Sequence, residues 1–157
     1  AALKAMEDVP PDAWNTVQAR ENRTSNDIEH RFSSLRFGKS TLESVFRMVS
    51  AVLPGELNAF SAGVYRRGDH IARHDDRQYT DMKMEDDSTL LCSRDVALIW
   101  YLNPEWNPEW GGLLVDLAHP EEKSFLPEFN TMVAFQVPRW HAVTKVTTDV
   151  PRYSIFG

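Results

Sequence analysis

Short apolar segments separated by turn-forming residues follow one another after residue 54, and they constrain the fold more than any other feature of the chain. Their branched and aromatic residues are typical of strands. A parallel doubly wound sheet needs helices that alternate with strands, and no such alternation is present after residue 60. The pattern therefore predicts a mostly β (α+β) domain. The predicted strands are Asn58 to Arg66, Val96 to Leu102, Leu113 to Leu117, Thr131 to Phe135, Ala142 to Val146 and Tyr153 to Phe156.

The segment before these strands carries a helical signal. Ser40 and Glu43 match the Ser-x-x-Glu pattern of a capping box, and apolar residues from Leu42 to Leu53 recur at helical spacing. The Pro-Gly pair that follows predicts the end of this helix. Further upstream, residues 8–20 are predicted to be a loop entering a short helix, and residues 21–39 an irregular connection with one short strand.

Composition excludes several classes of protein. A chain of 157 residues with 42% hydrophobic residues can bury one core, so a single domain is expected. The single cysteine, Cys92, excludes an internal disulfide and a thiolate zinc cluster, and the net charge of −6 argues against nonspecific binding to nucleic acid. The sequence shows neither a membrane span nor a signal peptide, so no membrane association and a cytoplasmic location are expected.

A His-x-Asp pair, His74 and Asp76, stands near the middle of the chain, and His141 follows at a distance. If the segment around the pair is extended, the two-residue period of a strand places His74 and Asp76 on one face and Asp75 on the other. Two neutral imidazoles and one carboxylate bind Fe(II) on one face and leave three adjacent positions open. The three residues are therefore candidate iron ligands, and the guanidinium of Arg152 is a candidate to hold an organic acid.

His70 and His74 offer a rival metal site, because they stand four residues apart as in helical zinc proteases. The residue after the first histidine is isoleucine rather than the glutamate that acts as general base, and Gly68 opposes a helix, so this alternative is rejected. His70 is predicted to lie in a loop, and His30 and His119 are predicted to be exposed to solvent.

Five motifs after the His-x-Asp pair stand in a specific order and spacing: Ala97 to Asn103, Trp106, Trp110 to Leu114, Phe129 to Phe135, and His141 with Arg152. Together they resemble the 2-oxoglutarate and Fe(II)-dependent dioxygenases, and within them the prolyl hydroxylase branch. The resemblance covers about residues 58–157. It implies a double-stranded β-helix, a jelly-roll or cupin-like fold with supporting N-terminal helices. In the single dioxygenase domain, residues 1–57 would give helical support, and residues 58–157 would form the core with the iron site.

Carried over to this chain, the resemblance makes His74, Asp76 and His141 the iron ligands, and Arg152 the residue that binds the distal carboxylate of 2-oxoglutarate. A guanidinium binds a carboxylate through two parallel hydrogen bonds, which an ammonium cannot do. Collagen-type relatives use lysine for this role, and Lys145 is the candidate lysine here, but it stands only four residues after His141. Arg152 matches the family spacing better.

Four other residues match pocket positions of the family. The resemblance implies that Tyr65 reaches 2-oxoglutarate, and that Tyr101 and Leu114 line the same pocket. Ser154 would share the carboxylate or leave room for it. Aromatic and leucine residues on strands are also ordinary core residues, so a purely structural role is the alternative.

The resemblance also implies the reaction. Such a dioxygenase uses Fe(II), 2-oxoglutarate and O2, with ascorbate as a stimulant, and couples release of succinate and CO2 to hydroxylation of an unactivated C–H bond. Relatives that halogenate carry glycine or alanine in place of the carboxylate ligand, so Asp76 favours hydroxylation. The leading substrate is a prolyl residue in a peptide or protein, and a free amino acid or small metabolite is the alternative.

Contacts to the substrate are predicted next to the ligands. Arg77, Tyr79, Arg139 and Trp140 flank the candidate iron ligands and could grip a peptide. The polar stretch from Arg77 to Ser88 is either a lid over the site or a surface excursion.

Two other functions are considered, a nucleic-acid demethylase and a noncatalytic binding protein. A nucleic-acid demethylase is rejected, because that branch resembles Arg-x-Asn-x-Thr-x-Arg after the distal histidine, whereas Ser154 and Phe156 follow Arg152 here. A noncatalytic cupin-like protein, which holds a metal or ligand without turnover, stays open as an alternative from another class.

Overall fold

The computed structural model describes residues 1–18, 30–36, 42–51, 60–84 and 86–157. Strands dominate this part of the chain, and none of its helices is long and apolar enough to cross a membrane. The elements in chain order are α1 (Ala2–Glu7), β1 (Asn15–Gln18), β2 (His30–Arg36), α2 (Glu43–Ala51), β3 (Ser61–Tyr65), β4 (His70–His74), β5 (Tyr79–Lys83), β6 (Thr89–Ser93), β7 (Val96–Tyr101), β8 (Leu114–Asp116), β9 (Lys123–Phe125), β10 (Met132–Gln136), β11 (His141–Val143) and β12 (Arg152–Phe156), with 3₁₀ turns at Pro11–Ala13 and Pro108–Trp110.

Ten strands form one curled antiparallel sheet in the order β10-β7-β12-β3-β2-β4-β11-β8-β9, with β1 paired to β2. Strand β2 joins the two halves of the sheet, because it pairs with β3 through residues 33–36 and with β4 through residues 30–31. One wall contains β10, β7, β12 and β3, and the other contains β4, β11, β8 and β9. The predicted mostly β architecture is confirmed.

One apolar cluster packs the helices against the outside of the first wall. Met6 of α1 and Phe46 of α2 belong to the same buried cluster as Leu98 and Ile155 of the strands. Phe46 is fully buried. Burial of a side chain of this size stabilises the fold by about 1.5–3 kcal/mol. The helices therefore hold the first wall in place without entering the space between the walls.

A second apolar cluster lies between the walls. It includes Tyr65 from the first wall and Leu114 and Val143 from the second. Neighbouring residues of a strand point to opposite faces of the sheet. Accordingly, Leu98 belongs to the cluster under the helices and Ile99 packs against the cluster between the walls.

The predicted helix from Ser40 is confirmed as α2, although Ser40 itself lies outside the described residues. The short helix predicted within residues 8–20 is present only as the 3₁₀ helix Pro11–Ala13, which leads into strand β1. Thr16 and Val17 are β-branched, which favours extended backbone, and both pair with β2. The α-helix of this region lies earlier, at α1.

Residues 1–57 contribute more than the expected helical support. Strand β2 lies near the middle of the sheet and links its two walls, so this part of the chain also builds the sheet. The sequence of β2 alternates poorly, with two consecutive serines, and strand pairing overrides its weak local propensity. The division of the domain at residue 57 stays a prediction.

All six predicted strands are present, with ends that differ by at most three residues where they are described. Two other segments differ from the prediction. His70 begins strand β4 instead of lying in a loop. The polar stretch from Arg77 to Ser88 forms β5 and the turn after it, so it is one arm of a two-stranded antiparallel hairpin with β6. We refer to residues 79–93 as the β5–β6 hairpin.

Candidate active site

The candidate iron ligands His74, Asp76 and His141 meet at one end of the second wall. His74 is the last residue of β4, His141 is the first residue of β11, and the two are direct partners in the antiparallel pairing. Nε2 of His74 lies 3.2 Å from Oδ1 of Asp76, and Nε2 of His141 lies 3.7 Å from Oδ2 of the same carboxylate. One ligand atom from each residue falls within 4.8 Å of the others. The three side chains can therefore face a single metal ion.

Asp76 reaches this position through a turn, not through the extended backbone that the sequence predicts. Strand β4 ends at His74, and Asp76 has a left-handed φ of 60°. The turn brings its carboxylate to the two histidines. Asp75 points elsewhere, as expected, and its Oδ1 accepts a hydrogen bond of 3.1 Å from the backbone N–H of Arg77.

Backbone carbonyls fix the orientation of both imidazoles. Nδ1 of His74 lies 2.9 Å from the carbonyl oxygen of Ala72, and Nδ1 of His141 lies 2.6 Å from that of Arg139. A carbonyl oxygen only accepts, so each Nδ1 carries the proton and donates it. Each Nε2 then carries a free electron pair and faces Asp76. Metal-ligating histidines are held in this way by a partner on the other ring nitrogen.

Electrostatics favours the protonation states that a metal needs. Burial lowers the pKa of His141, and the neighbouring His74 lowers it further, so the imidazole is neutral near pH 7. Burial alone would raise the pKa of Asp76, but the neighbouring side chains of His74 and Arg94 outweigh it and lower that pKa. A neutral imidazole and an ionised carboxylate are the ligand forms that bind a divalent cation.

Arg152 lies in the same cavity, held between two tyrosines. It begins β12 and pairs with Tyr65 of β3, while Ser154 pairs with Tyr101 of β7. Its guanidinium carbon lies 4.6 Å from the ring centroid of Tyr65 and 5.0 Å from that of Tyr101. All four side chains are buried. Burial raises the pKa of both tyrosines, and Arg152 offsets it only in part, so both hydroxyls stay protonated and can donate.

Two buried polar atoms at this place lack a hydrogen-bond partner among the residues that the structure describes, namely Nε of Arg152 and the hydroxyl of Tyr101. Such atoms are rare in folded proteins, because an unsatisfied buried group is costly. A guanidinium N–H and a phenol O–H both donate, so the ligand that satisfies them is an acceptor, and a carboxylate is the best match. The site therefore fits an organic acid.

One cavity of about 330 Å³ joins the two halves of the site. His74, Asp76 and His141 line it together with Tyr65, Arg152 and Ser154, while the ring of Tyr101 lies against Arg152. Leu114, the first residue of β8, contributes an apolar surface to the cavity. His30 also lines the cavity and is half-buried, so its predicted exposure is wrong. His119 is exposed.

The four predicted substrate contacts lie outside the lining of this cavity in the described part of the chain. Arg77 is exposed and lies 3.5 Å from Asp75, and Tyr79 is exposed on the β5–β6 hairpin. Arg139 donates two hydrogen bonds to Asp116, and Trp140 stacks under the guanidinium of Arg73. Their roles as substrate contacts stay predictions. Lys145, the alternative carboxylate anchor, is exposed.

Sequence reasoning missed two residues that support the ligands. Arg94 forms an ion pair with Asp76 at 3.5 Å, and Asp116 holds Arg139, whose carbonyl accepts from His141. Both pairs join residues about twenty positions apart in the chain. No local pattern marks them, because the contact depends on how the hairpin and the second wall fold.

Comparison with known proteins identifies the fold. The sequence model described as "2OG-Fe(II) oxygenase superfamily" matches residues 60–157. A prolyl-4-hydroxylase from Pseudomonas putida is 18% identical, with a TM-score of 0.68 over 99% of this chain and 81% of that one. No curated protein sequence matches the chain.

Two further solved structures share the fold. A prolyl hydroxylase from Trichoplax adhaerens, in complex with a hypoxia inducible factor peptide fragment, is 20% identical, with a TM-score of 0.68 over 99% of this chain and 74% of that one. HygX from Streptomyces hygroscopicus, with nickel and 2-oxoglutarate bound, is 9% identical, with a TM-score of 0.59 over 99% and 76%. The predicted double-stranded β-helix is confirmed.

Proposed function

This chain belongs to the 2OG-Fe(II) oxygenase superfamily, and from that membership we propose that it is a dioxygenase that hydroxylates a prolyl residue in a peptide or protein. The family uses Fe(II), 2-oxoglutarate and O2. One observation carries the proposal: a His-Asp-His cluster and a buried, partly unsatisfied arginine line the same cavity. The first is a donor set for Fe(II), and the second fits the acid that the family consumes.

We assign the metal to His74, Asp76 and His141. Their Nε2 and carboxylate oxygen atoms converge, burial lowers the pKa of His141 and so keeps it neutral, and the neighbouring charge of Arg94 lowers the pKa of Asp76 against the effect of burial. Three protein ligands leave positions for a bidentate acid and O2. A carboxylate at Asp76 also takes the place that a halide would need, which supports hydroxylation over halogenation.

We assign the distal carboxylate of 2-oxoglutarate to Arg152 and the hydroxyl of Tyr101. Tyr65 faces the guanidinium from the other side, and Ser154 stands two residues along the same strand, on the same face. These groups would orient the acid so that its other end reaches the metal ligands. The apolar side chain of Leu114 would limit access of water to this part of the cavity.

When bound, Fe(II) and 2-oxoglutarate supply the oxidising chemistry. In the overall reaction, 2-oxoglutarate and O2 give succinate and CO2, one oxygen atom enters succinate, and the other enters the substrate as its C–H bond becomes C–OH. The role of the protein is to hold the acid, the metal and the C–H bond together and to keep the site dry.

The charges in the cavity favour a residue within a peptide over a free amino acid. The charged side chains among the described lining residues are Asp76, Arg94 and Arg152. The first two are paired with each other, and the third is assigned to 2-oxoglutarate. A free amino acid brings an ammonium and a carboxylate, and both would need partners when they leave water. A prolyl side chain within a peptide is uncharged and apolar.

The Trichoplax adhaerens prolyl hydroxylase, whose fold is similar, is in complex with a peptide fragment. A peptide substrate for this chain is consistent with that fold. HygX, in another structure, is in complex with hygromycin B, a small molecule, so the fold by itself does not decide between the two classes. The distribution of charge described above is the reason for preferring a peptide.

Succinate release tests the proposal. Protein loaded anaerobically with Fe(II) should be exposed to air with 2-oxoglutarate and a panel of proline-containing peptides, free amino acids and protein lysates. We expect succinate above background with a peptide or protein, together with a product heavier by one oxygen atom in mass spectrometry. The control, His74→Ala, should release none.

The outcomes separate the alternatives. Turnover with a free amino acid alone would overturn the peptide substrate but keep the dioxygenase. Absence of succinate under every condition, with metal still bound, would indicate the noncatalytic cupin-like protein.

A further inference from the structure

Arg94 touches the candidate metal ligands without being one of them. Its Nη1 lies 3.5 Å from Oδ2 of Asp76. The other oxygen of the carboxylate, Oδ1, lies 3.2 Å from Nε2 of His74. The two oxygens of Asp76 therefore have different surroundings: Oδ1 faces the nearer histidine, whereas Oδ2 faces the cation of Arg94 and lies farther, 3.7 Å, from Nε2 of His141.

The position of Arg94 is fixed by the base of the β5–β6 hairpin. Its backbone N–H donates a 3.0 Å hydrogen bond to the carbonyl oxygen of Gln78, which closes the hairpin just outside the pair Tyr79 and Ser93. Arg94 and Gln78 both line the cavity. The side chain of Arg94 is 31% exposed, compared with 61% for Arg77, which pairs with Asp75 on the outside at the same distance of 3.5 Å. Arg94 is thus held inward, towards the ligands.

The backbone of Asp76 also indicates a constrained carboxylate. A φ of 60° is uncommon for a residue other than glycine, and such conformations persist where the surrounding structure holds them. The backbone conformation of Asp76 sets where its side chain begins, and the guanidinium of Arg94 lies beside the carboxylate at the other end of that side chain. Together they fix both the place of the carboxylate and its rotation.

We propose that Arg94 is a positioning residue that engages one oxygen of Asp76 and so leaves the other oxygen to bind the metal. This inference rests on the proposed function, because it concerns the same metal site. A carboxylate that binds through both oxygens would take one of the three positions needed for a bidentate acid and O2. A guanidinium on the second oxygen prevents this.

A competing account predicts the opposite change in metal affinity when Arg94 is removed. If Arg94 only neutralised Asp76 in the absence of metal, it would repel an incoming divalent cation, and its removal would tighten metal binding. If Arg94 positions the carboxylate, its removal weakens metal binding, since partners that orient a ligand are typically worth about 10–100-fold in affinity or activity.

Binding of Co(II) to the metal-free protein, followed by visible absorption, distinguishes these accounts. We expect Arg94→Gln to weaken the Kd for Co(II) by about 10-fold or more, and to change the spectrum of the bound ion because Asp76 is free to turn. Arg94→Lys keeps the charge but loses the planar fork, so it should restore part of the affinity. The matched control is Arg31→Gln, which removes an ion pair of 3.3 Å with the buried Asp69, the residue before β4.

The proposal is overturned if Arg94→Gln binds Co(II) as tightly as wild type or more tightly, with the same spectrum. Thermal unfolding of the metal-free proteins shows whether each variant is folded, and if Arg94→Gln is not, the affinity and spectrum of Arg94→Lys decide. If the wild-type protein itself binds no Co(II), the proposed metal site fails and this inference fails with it. If the wild-type protein binds Co(II) and the Arg94 variants bind it equally well, the metal site stands and the inference about Arg94 alone fails.

Discussion

Gly112 lies directly against Arg152. A Cβ atom on Gly112 would stand 2.9 Å from Cδ of Arg152 and 3.2 Å from Cγ2 of Val146. The same glycine has a left-handed φ of 67°. The absence of a side chain at this position therefore gives room for the arginine that we assign to 2-oxoglutarate, in addition to allowing the turn before β8.

Gly112→Ala should weaken binding of 2-oxoglutarate by about 10-fold or more, because the new methyl group displaces Arg152. Each 1.4 kcal/mol of binding energy that is lost weakens binding about tenfold. Isothermal titration of 2-oxoglutarate into anaerobic metal-loaded protein measures the effect. Gly68→Ala is the matched control, since Gly68 also has a left-handed φ, of 92°, but its Cβ would meet nothing within 4 Å. The control should lose about 1–2 kcal/mol of stability through backbone strain and no affinity. Equal affinity losses in both variants would contradict the account.

Arg152→Met should weaken binding of 2-oxoglutarate by about 100-fold or more, because hydrogen bonds to charged groups contribute about 1.5–3 kcal/mol each. The metal affinity should stay nearly intact, since Arg152 is not a candidate ligand. The free energy of unfolding of the ligand-free protein should not fall, because methionine removes a buried charge at similar volume. Lys145→Met tests the alternative anchor and should change nothing. An effect of Lys145→Met, with Arg152→Met unaffected, would transfer the role to the lysine.

The strands and the His-x-Asp pair could be predicted from the sequence because both depend on local signals, whereas the double-stranded β-helix and the full ligand set with His141 were expected from the resemblance to a known family. Strands such as β7 and β12 show their pattern within a few residues, and the His-x-Asp pair is a local spacing. The contacts of Arg94 and Asp116 could not be predicted, since each depends on two distant segments meeting. The short strand predicted within residues 21–39 is present as β2, but its place between the two walls could not be predicted, because its pairing partners, and not its own residues, determine it.

Asn103 shows how much such distant contacts matter to the fold. It is buried, its Nδ2 donates to the carbonyl oxygen of Pro127 at 3.0 Å, and its Oδ1 accepts from the backbone N–H of Tyr153 at 2.6 Å. Asn103→Ala leaves both backbone groups unsatisfied and should lower the free energy of unfolding by about 2–4 kcal/mol in a denaturant titration. Asn107→Ala, which removes an exposed hydrogen bond to Glu109, should cost about 1 kcal/mol or less. Similar costs for the two variants would refute this view of Asn103.

The lowered pKa of His141 predicts a loss of stability on acidification. Between the usual histidine pKa of about 6.5 and the lower value in the folded protein, the unfolded chain binds a proton that the folded protein does not. The free energy of unfolding of the metal-free protein should therefore fall as the pH drops below about 6.5, by at most about 1.4 kcal/mol per pH unit from this residue. The pKa of Asp76 is lowered as well and lies below this range. His141→Gln should reduce the slope in denaturant titrations near pH 5.5, and an unchanged slope would assign the effect to another group.

The central claim is that His74, Asp76 and His141 hold Fe(II) in the cavity where Arg152 holds 2-oxoglutarate. The visible absorption spectrum of the protein, mixed anaerobically with Fe(II) and 2-oxoglutarate, tests it most directly, because a chelate of the acid on the bound metal gives a weak charge-transfer band. We predict the band in the wild-type protein and its loss in His74→Ala, with both proteins folded. A wild-type protein without the band, or a His74→Ala variant that retains it, would contradict the assignment.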